Sequence, residues 1–245
     1  MRQVEFSGQP ADATPGVRAA AVPRQLALAF PHRPEFATAP LLEAPSNAAA
    51  RAWLARTADW PGFRLALWGE PGCGKTHLLQ RWAAARGASC WSGAGLRGIV
   101  PGPLPRAGIA LDEADALPEE PALLHLLNAA AEAAVPVLLA AHAPPARWPV
   151  RLADLASRLR ATTAVEIRPA DDALLRALLT RLLAERQLDV AVPVQAWLLA
   201  RLPRTPAALR EAAARLDRAA LRAGRAVGRA LAAEVLEEMA AETTN

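Results

Sequence analysis

The sequence predicts an α/β protein: a parallel sheet flanked by helices, built around a phosphate-binding loop and followed by a small all-α lid. Three observations predict it. An apolar segment, residues 64–68, runs into a glycine-rich loop and then into a helical pattern. Short apolar runs and helical stretches alternate as far as about residue 168. From Asp171 onward only helical periodicity remains, punctuated by Pro169, Pro193 and Pro203.

Each element has its own reason. Residues 1–24 are Ala, Pro and small polar residues without periodicity, which predicts a disordered arm. Residues 25–34 carry a short apolar peptide, Gln25 to Phe30, closed by Pro31 and Pro34, which discourage helix. The α/β domain is expected over 35–168. It opens with a helix at 46–58, capped by Ser46 or Asn47, and a buried strand at 64–68. After the loop come a helix at 76–86 and a strand at 88–91. Residues 92–107 are dense in Gly and Pro and read as a loop. A strand at 109–111 runs into Asp112 and Glu113, and a helix follows at 119–133. A strand at 137–141 ends at His142 and the pair Pro144-Pro145. A short helix at 151–160 precedes a strand rich in β-branched residues at 163–167. The lid, 169–245, is read as helices at 171–186, 193–202, 206–223 and 228–241.

The bulk properties bound the function. A chain of 245 residues suits one domain, or a larger and a smaller one packed together, and 53% apolar residues suffice for a core. The net charge of +4 is spread along the chain, so neither half is a polyion. Of the 28 basic residues only Lys75 is a lysine. Residues 145–229 hold 16 Arg against 8 acidic residues, which keeps a nucleic-acid-binding reading open. Arg has replaced Lys throughout, however, and acids are interspersed, so a solvated helical lid is the simpler reading. Cys73 and Cys90 have neither metal-ligand nor redox spacing, as in a reduced cytosolic protein. The sequence has no apolar run long enough to span a membrane and no secretory signal. A soluble, cytoplasmic protein is expected.

The chemistry lies in two motifs. Gly69-Glu70-Pro71-Gly72-Cys73-Gly74-Lys75-Thr76 matches G-x-x-x-x-G-K-[ST] at every fixed position, between a strand and a helix. Its glycines let several backbone N–H groups point inward, and the helix that continues through His77 adds its positive dipole end. Lys75 is expected to reach the β- and γ-phosphates of a nucleotide, and the Thr76 hydroxyl to ligate Mg²⁺. The second motif is the apolar strand ending in Asp112-Glu113. At the carboxyl edge of a parallel sheet it would face the phosphate loop. Asp112 is the expected Mg²⁺ partner and Glu113 the residue that orients the attacking water.

With these residues in place, the chain resembles the AAA+ ATPases, and among them the DnaA-related replication proteins. Gly69–Thr76 and Asp112–Glu113 match the Walker A and Walker B motifs, so an adenine nucleotide, ADP or ATP, is implied. Pro45-Ser46-Asn47-Ala48 resembles the segment near the adenine. Leu138 to Pro145 looks like the sensor I strand and its exit, with His142 where a polar residue near the γ-phosphate is usual. A gamma-phosphate sensor and a plain strand cap are equally open for His142. Asp154-Leu-Ala-Ser-Arg158-Leu is similar to the motif of the arginine finger, which acts on the nucleotide of a neighbouring subunit. Arg204 and Arg210 are both candidates for the sensor II arginine.

Gln25-Leu26-Ala-Leu28-Ala-Phe30 resembles the clamp-binding peptide of bacterial replication proteins, in which the Gln amide and the apolar side chains fill pockets. The sequence ends at Asn245, so no helix-turn-helix domain for duplex DNA is expected after the lid. Together these features are similar to the regulatory inactivators of DnaA. The resemblance implies DnaA and the DNA polymerase III sliding clamp (β subunit) as partners, without sequence-specific DNA binding. It allows a homo-oligomer as well. A self-sufficient motor, such as a helicase loader or a clamp-loader-like ATPase, is the alternative that the intact motifs leave open.

Overall fold

The computed structural model describes residues 41–98, 103–117 and 119–243. The arm at 1–24 and the peptide Gln25, Leu26, Leu28 and Phe30 lie outside the described residues.

Five parallel strands form one sheet in the order β2-β3-β4-β1-β5. They are β1 (Arg64–Trp68), β2 (Ser89–Ser92), β3 (Ile109–Asp112), β4 (Val137–Ala141) and β5 (Thr163–Glu166). Parallel strands need crossovers; helices supply three of them, and the β2–β3 connection has no α-helix among the described residues. The chain runs through α1 (Ala48–Leu54), β1, α2 (Lys75–Arg86), β2, β3, α3 (Glu120–Glu132), β4, α4 (Ala153–Arg160) and β5.

The strands are short apolar runs because both faces of the sheet are covered. Side chains alternate between two cores. Ala66, Ile109, Leu111, Val137 and Leu139 pack with α3 and α4. Leu65, Leu67, Ala110, Leu138 and Ala140 pack on the opposite face with α1 and α2. The second face is closed by Trp60 stacked on Trp82, ring centroids 5.2 Å apart.

The helix expected at 46–58 is broken. A 3-10 turn at Pro45–Asn47 leads into α1, and a second turn at Thr57–Asp59 follows. Thr57 causes the break: its hydroxyl donates to the Leu54 carbonyl (3.2 Å) and accepts from the Trp82 indole (3.0 Å). Side-chain bonds of this kind compete with helix propagation.

After β5 the chain is all helix: α5 (Asp172–Ala184), α6 (Val192–Leu199), α7 (Pro206–Ala223) and α8 (Arg229–Thr243). These pack on one another through a separate core that includes Leu179, Leu198, Leu209, Ala212, Ala213, Leu216 and Ala232. The fold is thus a P-loop α/β sheet flanked by helices, with a small all-α lid. Among the described residues no helix is long and apolar enough to cross a membrane.

Candidate nucleotide site

The phosphate loop leaves β1 at Gly69 and enters α2 at Lys75. Gly69, Gly72 and Gly74 all have positive φ, at 152°, 80° and 109°. At Gly69 a side chain is excluded twice over: a Cβ there would stand 2.4 Å from the Ile167 carbonyl oxygen. The N–H groups of Gly72 and Gly74 have no backbone acceptor among the described residues, and the first N–H groups of α2 lack intrahelical partners by geometry. Such a cradle of donors suits an anion.

Lys75 is 8% exposed. Its ammonium donates to the carbonyls of Gly69 (2.7 Å) and Glu70 (2.8 Å) and lies 3.8 Å from Cys73 Sγ. The lysine is therefore held by the loop itself, at the place from which a phosphate would recruit it. Burial pushes the Cys73 thiol up, against a smaller opposing pull from Lys75. Thr76 and His77 occupy the first turn of α2, both partly buried.

Asp112 ends β3, one strand away from β4 and two from β1. Its Oδ1 accepts from the Glu113 N–H (3.0 Å). Glu113 has φ 51°, a left-handed conformation uncommon for a residue with a side chain. Three contacts hold it there. The Ala114 N–H donates to Ala140 O (2.8 Å), and the Ala116 N–H to Glu113 O (2.9 Å). Gly93, just after β2, is pressed so close that a Cβ on it would lie 2.1 Å from Glu113 O. Backbone outliers of this sort collect at functional sites.

The residues expected to hold a metal are one hydroxyl, Thr76, and one carboxylate, Asp112. Among the described residues no group of three or more His, Cys, Asp or Glu could hold a metal ion. A hydroxyl and a carboxylate would suit Mg²⁺, which takes one or two protein oxygens and fills its shell with water and substrate phosphates.

His142 follows β4, and its backbone N–H donates to Asp115 Oδ2 (2.8 Å). Its ring Nδ1 stands 3.3 Å from the same oxygen, with the side chain 55% exposed. Asp115 thus fixes the end of β4 beside the end of β3. The Ser46 carbonyl accepts from the Arg168 N–H (3.2 Å). Asn47 is buried, its amide donating to Leu42 O (2.9 Å) and its oxygen accepting from the Ala44 N–H (3.3 Å). The Asn47 side chain therefore braces the segment before α1.

In the lid, α7 begins against the phosphate loop. A Cβ on Gly72 would lie 3.8 Å from Thr205 Cβ and 3.9 Å from Ala207 Cβ. Thr205 caps α7 by accepting from the Ala208 N–H (3.2 Å). The two lid arginines differ. Arg204 is exposed and paired with Asp172. Arg210 is partly buried, and that burial lowers its pKa.

Arg158 lies elsewhere. It is in the last turn of α4, whose carbonyl accepts from the Thr162 hydroxyl (2.8 Å) just before β5 starts. Since β5 begins beside Leu65, Arg158 sits at the amino edge of the sheet. The phosphate loop is at the carboxyl edge. The five steps from Arg64 to Gly69 span roughly 16 Å at ~3.3 Å each.

Two contributors were not evident from the sequence. Gly93 sits in a stretch legible only as a loop, and Asp115 follows the motif it serves. Neither belongs to a recognisable motif; each acts through a contact made by the fold.

No family profile and no curated protein matches the chain. Solved structures do. Domain III of the Thermotoga maritima replication initiation protein DnaA aligns over 85% of this chain and 98% of its own, with a TM-score of 0.69 and 17% identity. AMPPCP-bound DnaA from Aquifex aeolicus gives a TM-score of 0.54 at 17% identity; 66% of this chain is covered, and it spans 59% of that longer chain. A Thermotoga maritima RuvB variant gives 0.62 at 16% identity, over 78% of this chain and 67% of that one. The shared architecture is the P-loop α/β fold with a helical C-terminal region.

Proposed function

We propose that this chain is a DnaA-related AAA+ regulator similar to Hda (HdaA in some bacteria). It holds an adenine nucleotide, docks on the sliding clamp through Gln25–Phe30, and promotes hydrolysis of ATP bound to DnaA. The placement of Arg158 carries this reading. An arginine at the amino edge of the sheet is separated from its own phosphate loop by the length of β1. It would act on the nucleotide of a neighbour, where a guanidinium stabilises charge on the transferring phosphoryl group.

The chain's own site has defined parts. Lys75 would exchange its loop carbonyls for the β- and γ-phosphates. Thr76 and Asp112 would hold Mg²⁺, which neutralises charge on the phosphate oxygens. Glu113 would orient water, His142 would lie near the γ-phosphate, and Arg204, exposed and paired with Asp172, and Arg210, partly buried in α7, are both sensor II candidates. Thr205 and Ala207, which stand beside Gly72, would let the lid feel the occupancy of the loop.

The test is hydrolysis of DnaA-bound ATP in the presence of clamp and DNA, with and without this protein. Stimulation that Arg158→Ala abolishes, and that Gln25, Leu26 and Phe30 replaced by Ala also abolish, is expected. Full activity of Arg158→Ala would sink the proposal. The intact set Lys75, Thr76, Asp112 and Glu113 favours a second reading, a self-sufficient motor. Rapid turnover by the isolated protein, lost in Glu113→Gln, would select it.

A further inference from the structure

Arg64 opens β1 at the same sheet edge as Arg158. Continuing the β1–β5 register, in which Leu65 faces Thr163, sets Arg64 opposite Thr162. The Thr162 hydroxyl holds the Arg158 carbonyl, so one residue lies next to both arginines. Neither guanidinium has a hydrogen-bond or ion-pair partner among the described residues, and the Nε of each is buried without an acceptor. Two neighbouring guanidiniums with no counter-charge form a costly arrangement unless an anion completes it. Burial first, and then the Arg158 charge, hold Arg64 below the ordinary arginine range.

The turn before β1 shapes the pair. A Cβ on Gly62 would stand 3.4, 3.5 and 3.6 Å from Arg64 Cζ, Nη2 and Nη1. These near-equal distances lay the guanidinium flat across the bare glycine, and the plane is thereby oriented.

We infer that Arg64 and Arg158 form one two-arginine site, and that Arg64 is a second catalytic arginine for the γ-phosphate of ATP held by a neighbouring AAA+ subunit. This rests on the trans-acting reading of Arg158 and adds a residue to it. In the step assisted, a water oxygen bonds to the γ-phosphorus as the bond to the β–γ bridging oxygen breaks. The electron pair leaves on ADP, and the water proton passes to phosphate or solvent. Two forks can follow the charge on the γ-oxygens, where one alone would cover half of it.

The experiment measures hydrolysis of DnaA-bound ATP with clamp and DNA, using wild type, Arg64→Ala, Arg64→Lys, Arg158→Ala and the double variant. Arg64→Ala is expected to lower the stimulated rate about a hundredfold to a thousandfold, by analogy with loss of one charge-stabilising donor. Capture of DnaA should be unchanged. Arg64→Lys should recover part of the rate, and the double variant should be no worse than Arg158→Ala, because the two act as a unit. A wild-type rate for Arg64→Ala beside an inactive Arg158→Ala overturns the inference and leaves the trans-acting reading standing. A wild-type rate for Arg158→Ala removes both. Weaker salt-dependent binding of DNA by Arg64→Ala, at an unchanged rate, would assign Arg64 to DNA phosphates and also overturn it. If Arg64→Ala melts early, Arg64→Gln, which keeps bulk and drops the charge, is judged by the same rate criterion.

Discussion

Replacing Gly93 by Ala isolates one contact behind the site. Gly93 has no positive φ, so the backbone itself accepts alanine. The obstacle is steric: the new Cβ would lie 2.1 Å from Glu113 O, 2.8 Å from its carbon and 3.0 Å from Ala114 Cα. An ordinary C···O contact is near 3.3 Å, so something must move by about 1.2 Å. The Glu113 carbonyl cannot simply swing aside, because the Ala116 N–H donates to it and Ala114 is tied to Ala140. Overpacking of this kind costs about 1–3 kcal/mol. For a chain of this size that is a fall of about 2–12 °C in melting temperature. Gly95 is the control: it lies two residues on, and an added Cβ there meets nothing within 4 Å. Gly95→Ala should therefore be neutral, or stabilise by about 0.4–1 kcal/mol through the unfolded chain. Differential scanning fluorimetry of both variants gives the comparison. ATP hydrolysis by Gly93→Ala should fall more than nucleotide affinity, because the clash displaces Glu113 and leaves the phosphate loop alone. Equal melting temperatures for the two variants would refute the packing argument, and an unchanged hydrolysis rate would refute the link to Glu113.

Two further outcomes follow from the electrostatics. Burial raises both thiols, with the Asp112 charge adding to it at Cys90. Maleimide labelling near pH 7 should thus be slower than for a free cysteine at either position, and should quicken as pH rises. MgADP should protect Cys73, inside the loop, and give Cys90 no protection; equal protection of both would argue against the loop as the nucleotide site. Glu120 accepts from the N–H groups of Leu152 and Arg151 at the start of α4, and these bonds hold its carboxyl below the usual range. A depressed carboxyl stabilises the fold above its unfolded pKa of about 4.3 and loses that contribution as pH falls through the folded value. Acid should therefore narrow the gap between wild type and Glu120→Gln, and a gap constant from pH 7 to pH 3 would contradict this cap on α4.

What the sequence made legible is what local chemistry dictates. The strands are readable because full burial on both faces demands unbroken apolar runs, as at Val137–Ala141. The phosphate loop is readable because a tight anion cradle demands glycine at set positions and a lysine next to a helix start. The lid is readable by period alone. What escaped depends on contacts between segments far apart in the chain. The left-handed turn at Glu113 needs Gly93, 20 positions earlier in the sequence. His142 meets Asp115, which one strand's motif could not announce. Thr57 breaks a helical pattern because Trp82 claims its hydroxyl, and Asn47 bonds with its side chain to Leu42 and Ala44 in its own segment.

Lys75 has a last consequence, in the chemistry of labelling. The protein's other basic side chains are guanidiniums, so the only side-chain amine in the sequence is the one wrapped by Gly69 and Glu70. Amine-directed acylation, enzymatic or synthetic, has no surface lysine on which to be spent. A single acyl adduct on a side chain would neutralise the charge proposed to bind phosphate, so the stoichiometry of modification and the loss of nucleotide binding should coincide.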